Sequence, residues 1–153
     1  MNPEQVRRLL AALAGRSFES VVFGGGEPPA ASPIIAPQDI AEFRAAAESV
    51  FVDEKIKAYI LDIVFASRDP EEAGLDLAPL ISWGASPRAT LALTQLARAR
   101  ALLRGRAFVI PEDVKAVGHD ALRHRILVTY EAEAENLVSD DIVTALLDNI
   151  EVP

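Results

Sequence analysis

GASPRATLALTQLARARALLRG, residues 84–105, is the most legible stretch of this chain. It has the start and stop signals of one long helix. Ser86 offers a hydroxyl to the free amides of a first turn, and Pro87 suits the first helical position, where no N–H is missed. Ala92, Leu96, Ala99 and Leu103 recur at helical spacing and are expected to face one way, as an apolar stripe. Arg104 places positive charge near the negative end of the helix dipole, and Gly105 ends the helix.

Downstream, Phe108, Val109 and Ile110 form a short extended piece. Pro111, Glu112 and Asp113 then open another helix, with acids in the first turn where the dipole favours them. Ile126 to Thr129 is a second short β candidate, expected to pair with the first. Ser139 is expected to cap a last helix carrying Ile142, Val143, Leu146, Leu147 and Ile150.

Upstream, Asp53 caps a helix in which Ile56, Tyr59, Ile60, Ile63 and Val64 make one apolar stripe. It runs to about Arg68, Asp69 and Pro70 stop it, and a loop follows to Ala85. Before it, Ile40, Phe43, Ala47 and Val50 share a face. Residues 15–36 contain Gly24, Gly25 and Gly26 and then Pro28, Pro29 and Pro33, the composition of a flexible connector, with a short strand candidate at Val21 to Phe23. Residues 3–14 have the pattern of a short helix, with Asn2 as cap, Pro3 at its start and a stripe of Val6, Leu9, Leu10 and Leu13. The expected organisation is residues 1–14, a connector at 15–36 and one domain at 37–153. That domain is expected to be an all-α bundle of about four main helices, with at most a minor short β pair.

Composition narrows the function. The 153 residues carry a formal charge of −8, which disfavours broad contact with nucleic-acid backbones and so disfavours a DNA-binding helical domain. With no cysteine there is no disulfide, thiol nucleophile or thiolate metal site. No apolar run approaches the ~18 residues of a membrane span, and no signal pattern opens the chain. A cytoplasmic protein is the expectation.

Complete catalytic constellations are missing. The glycines at 24–26 are followed by Glu27 and two prolines, not by the Lys-Ser/Thr that a phosphate loop needs. There is no Gly-x-Ser-x-Gly elbow. His119 and His124 are five apart, not the four that puts two ligands on one helical face, so no metal site is expected. His124, beside Arg125 after a helix, suits packing and carbonyl bonding at the helix end. The acidic pairs Glu71–Glu72 and Asp140–Asp141 suit solvated surfaces, as do Arg98, Arg100, Arg104 and Arg106, scattered around their helix.

Arg88 differs. It lies in the first turn of a long helix, where the dipole makes a cation unfavourable by roughly 0.3–1 kcal/mol. An arginine and a helix N-terminus together make a good anion site. The competing readings are a pair with an acid such as Glu112, or an arginine lying in solvent.

The string Gly84-Ala85-Ser86-Pro87-Arg88-Ala89 is followed in order by Leu96-Ala97-Arg98-Ala99, Gly105-Arg106, Val109, Pro111-Glu112-Asp113-Val114, Leu122 and His124-Arg125-Ile126. Together these residues resemble the C-terminal lid of MoxR-type AAA+ ATPases. Upstream, Tyr59-Ile60 and Ser67-Arg68 also resemble the family pattern, although Ser67 stands where threonine is more usual. The resemblance implies that residues 37–153 are the lid and residues 1–14 the tail end of an ATPase core. It implies that Ser86, Pro87 and Arg88 face a nucleotide, with Arg88 as the sensor 2 arginine. ATP and Mg2+ would be bound by the core, not tightly by this chain. The implied partners are that core, in the same chain, the neighbouring subunits of a ring, expected as a hexamer, and a protein with a von Willebrand factor A domain. The implied role is chaperone-like remodelling, or metal insertion and maturation.

Walker A, Walker B, sensor 1 and an arginine finger have no counterpart here. The chain alone is therefore expected to be inactive, and Met1 directly before a core-like helix suggests an excised piece of a longer protein. The alternative from another class is a free-standing helical adaptor that binds a partner protein.

Overall fold

The computed structural model describes residues 37–153, and Gln38–Pro153 forms one compact unit. The expectations for residues 1–36 lie outside the described residues: the 3–14 helix, the Val21–Phe23 strand and the 15–36 connector. In chain order the elements are α1 (Pro37–Glu48), α2 (Glu54–Ala66), a 3-10 turn (Ala78–Leu80), β1 (Ile81–Trp83), α3 (Arg88–Leu103), α4 (Pro111–Leu122), β2 (Leu127–Val128), α5 (Tyr130–Ala134) and α6 (Ser139–Asn149). The described chain is thus an all-α bundle with one two-stranded antiparallel sheet.

Four helices, α2, α3, α4 and α6, pack on one another and enclose the core. Its largest buried side chains include Tyr59, Ile60 and Ile63 from α2, Leu93 from α3, Leu122 from α4, and Ile142 and Leu146 from α6. The stripes of α2 and α6 are buried as their periodicity requires, with Ile150 half-buried just past the end of α6. By contrast, α1 buries no residue, and Ile40 and Phe43 are exposed.

The helix α3 does not bury the stripe expected from its sequence. Its buried face is Ala89, Leu93, Ala97 and Ala101, whereas Leu96 and Leu103 are exposed and Ala92 and Ala99 only half-buried. Packing explains the choice. Both α2 and α4 lie against α3, and alanine methyls let helix backbones approach where leucines would hold them apart.

The ends of α3 also differ in detail. The Ser86 hydroxyl makes no capping bond, the cap position is Pro87, and Arg88 is the first helical residue. At the other end Gly105 has φ +70, and two bonds close the helix: Gly105 N–H to the Leu102 carbonyl (2.8 Å) and Arg106 N–H to that of Ala101 (2.9 Å). This paired closure requires a left-handed residue, which glycine adopts without a Cβ penalty.

Both β candidates exist as extended chain, but they do not pair with each other. Phe108 bridges Phe51 in parallel, through Phe51 N–H to Ala107 O (2.9 Å) and Val109 N–H to Phe51 O (3.0 Å). Leu127–Val128 instead pairs with Ile81–Trp83, inside the segment expected to be loop. The link from α2 to α3 carries β1 past β2, an adjacency that local sequence cannot display. Ser139 likewise does not cap α6. Val138 holds that position, the Asp141 carboxylate accepts its N–H (2.8 Å), and the Ser139 hydroxyl donates to Ile126 O (3.0 Å).

Candidate functional site

The segment Gly84–Arg88 enters α3 across the end of α2. Ser67 follows the last residue of α2 and is fully buried. Its hydroxyl donates to the Val64 carbonyl (2.6 Å) and accepts the Ala85 N–H (3.0 Å). The Arg68 guanidinium donates to the Ala85 carbonyl (3.4 Å). Gly84 lies so close to this turn that a Cβ would fall 2.1 Å from the Ser67 carbonyl oxygen. The chain then surfaces: Ser86, Pro87 and Arg88 are exposed, and Ala89 is buried again.

Among the described residues the Arg88 side chain has no hydrogen bond or ion pair, and Glu112 is not its partner. The free amides expected at this helix start are fewer than the sequence implies. Pro87 has no N–H, while Ala89 and Thr90 already donate to the carbonyls of Ser86 (2.8 Å) and Pro87 (3.2 Å). The Thr90 hydroxyl also donates to Pro87 O (2.7 Å). The Arg88 guanidinium and N–H, with the exposed Ser86 hydroxyl before them, are donors left at the positive end of a 16-residue helix. Such a fork of donors fits a phosphate or carboxylate in bidentate geometry.

The other basic residues are spoken for or scattered. Asp113, 1% exposed, accepts both terminal nitrogens of Arg106 at 2.7 Å, with Arg100 at 3.5 Å and the Ile110 N–H at 3.1 Å. Burial pushes the Asp113 carboxyl up. The Arg106 hydrogen bonds, the Ile110 amide and the charges of Arg106 and Arg100 outweigh it and hold the group below the usual aspartate range. The Asp113 hydrogen bond raises Arg106 in turn, against its desolvation. Gly105-Arg106 and Pro111-Glu112-Asp113 are therefore structural: they close α3 and start α4. Arg98 is half-buried, with an unpartnered Nε, and Arg104 is exposed.

The histidines do not converge. His119 Nδ1 meets Asp140 Oδ1 at 3.0 Å, and His124 lies against the Arg125 guanidinium. The carbonyl bond expected at the end of α4 is made by Arg125, to Ala121 O (2.6 Å). No group of three His, Asp or Glu suited to a metal ion occurs among the described residues. The Tyr59 hydroxyl is buried without a partner, and burial, then the charges of Asp148 and Glu112, raise its pKa. No described helix is long and apolar enough to cross a membrane.

Sequence reasoning placed Arg88 but missed the Ser67–Ala85 bond and the Arg106–Asp113 pair. Gly84, the residue that lets the segment reach Ser67, was the available signal for the first. An arginine just past a helix-ending glycine and an acid at the third position of the next helix were the signal for the second.

Residues 75–146 match the family described as the AAA lid domain. The chain is 38% identical to "Chaperone MoxR1" of Mycobacterium tuberculosis over 84% of its own length and 34% of that protein's. It is 40% identical to "Protein MoxR" of Paracoccus denitrificans over 64% of its length and 31% of that protein's. A crystal structure of a protein from Cytophaga hutchinsonii superposes with a TM-score of 0.80 at 35% identity, covering 88% of this chain and 41% of that one. The chain thus spans about a third of the length of these curated relatives. The sequence match, the superposition and the helical architecture agree: this chain carries an AAA lid domain of the MoxR type.

Proposed function

We propose that this lid closes over ATP held by an ATP-binding core in the same native chain, and that Arg88 serves as the sensor 2 arginine. The single observation that carries the reading is Arg88 itself: exposed, its side chain without a partner among the described residues, and first in the helix whose entry is anchored on the end of α2. Without an anion the dipole disfavours that guanidinium, and with one it favours the complex. ATP with Mg2+, once bound to the core, supplies the phosphoryl chemistry. The lid's own part is to place the Arg88 guanidinium where negative charge grows, exclude water on closing, and pass the closure to a neighbouring subunit. Ser86 and Pro87 shape the turn that presents Arg88, and neither side chain makes a capping bond within the helix.

In this reading the assembly is a ring, taken as a hexamer, in the cytoplasm. It does chaperone-like remodelling or metal insertion, and a protein with a von Willebrand factor A domain is a candidate partner. The adaptor alternative draws on exposed apolar residues such as Leu61, Phe65 and Trp83. A Gly-x-x-x-x-Gly-Lys-Ser/Thr sequence upstream in the native reading frame separates the two, since only the lid needs it.

Arg88→Ala is the direct test. Urea melts of the chain should shift by no more than about 0.5 kcal/mol, as for an exposed site. ATP turnover by the native protein with its core should fall about 10-fold or more, the scale of losing one charge-stabilising donor. The 153-residue chain alone should hydrolyse no ATP above background. A strongly destabilised chain with unchanged turnover per folded molecule would sink the sensor role.

A further inference from the structure

We propose that Ser67 is the positioning residue for Arg88, acting through a backbone clamp that also requires Gly84. The inference rests on the nucleotide-facing reading of Arg88 and adds how that arginine is held. A serine hydroxyl has one proton to donate and lone pairs to accept. At Ser67 the donor goes to the Val64 carbonyl, one turn back, and the acceptor takes the N–H of Ala85, 18 residues away. Ala85 is fully buried, so no water can replace that acceptor. An alanine at 67 would fill nearly the same volume, so what the hydroxyl contributes is this long-range bond.

Gly84 makes the bond reachable. Its missing Cβ would sit 2.1 Å from the Ser67 carbonyl oxygen and 2.7 Å from the Arg68 Cα. Both are backbone atoms, and no side-chain rotation relieves such a contact. Arg68 completes the grip, so consecutive residues of one turn hold Ala85 by both its N–H and its carbonyl. Beyond Arg88, Ala89 is buried and its N–H is bonded to Ser86 O. The backbone that carries Arg88 is therefore tied three residues before it, at Ala85, and directly after it, at Ala89. That is what a charge donor needs when a displacement of about 1 Å can cost ~100-fold in rate.

The test pairs amide exchange with turnover. In the wild-type chain the Ala85 amide should exchange only with global unfolding, at the rate of the slowest α2 amides. Ser67→Ala should speed that exchange about 10-fold or more beyond the change in α2 amides. In the native protein, Ser67→Ala and Gly84→Ala should each lower turnover per folded molecule about 10-fold. Ser67→Thr, which keeps the hydroxyl, should stay near wild type in both measurements. In an Arg88→Ala background, Ser67→Ala should lower turnover no further. Independent, multiplying effects of Ser67→Ala and Arg88→Ala would overturn the clamp while leaving the arginine's role intact. An Arg88→Ala enzyme with full turnover would remove the sensor reading and this inference with it. If Ser67→Ala fails to fold, Gly84→Ala and wild-type exchange carry the test, and an Ala85 amide as labile as exposed amides overturns it.

Discussion

Replacing Leu93 with alanine tests which face of α3 is inside. Leu93 is fully buried, and its neighbours one turn away on the same face, Ala89 and Ala97, are also fully buried. Removing a buried leucine's outer carbons costs roughly 2.7–5 kcal/mol, depending on how well the surroundings collapse into the space. Collapse is hindered here. The flanking alanines have only methyls to offer, and α3 is anchored at its start by the Ser67–Ala85 bond and at its end by Arg106 on Asp113. Leu93→Ala should therefore fall in the middle to upper part of that range, about 3–4 kcal/mol. Leu103 is 87% exposed, and Leu103→Ala should stay within about 0.5 kcal/mol. Urea unfolding followed by far-ultraviolet circular dichroism measures both, provided the slope against denaturant is common to the variants. Equal losses, or a larger loss at Leu103, would mean that the leucine stripe and not the alanine face lies against α2 and α4.

Two further outcomes follow from the polar groups and the backbone. The Asp113 carboxyl is depressed in the folded state, so the unfolded chain takes up a proton first as the medium is acidified. Its contribution to stability is complete above the usual aspartate range and is lost as pH falls through the folded-state value. Asp113→Asn should flatten that part of the acid limb in pH-dependent melts, and an unchanged acid limb would show that Asp113 is not depressed. Gly105 has φ +70 and open space where a Cβ would go, so Gly105→Ala should cost only the left-handed penalty, about 1–2 kcal/mol in thermal or urea melts. A loss well beyond that would point to a steric clash absent from the structure.

By itself the sequence determined the main helices, most of their ends and the cation that opens α3. The stripe from Ile56 to Val64 and the one from Ile142 to Leu147 were legible because every large apolar residue on them is buried, so period and burial coincide. Arg88 was legible because a cation in the first turn of a helix runs against the dipole, a conflict written in local spacing alone. Tertiary structure decided what depends on contacts between distant segments. It turned α3 so that alanines, not leucines, meet α2 and α4, because close approach between helices rewards small residues and periodicity counts only large ones. It paired residues 127–128 with 81–83 and bridged Phe108 to Phe51, since short strands take whichever edge the packed helices bring alongside. It gave Asp113 to Arg106 and Ala85 to Ser67. A buried polar group must find its partner in space, and that partner can lie 18 residues away, where no local pattern records it.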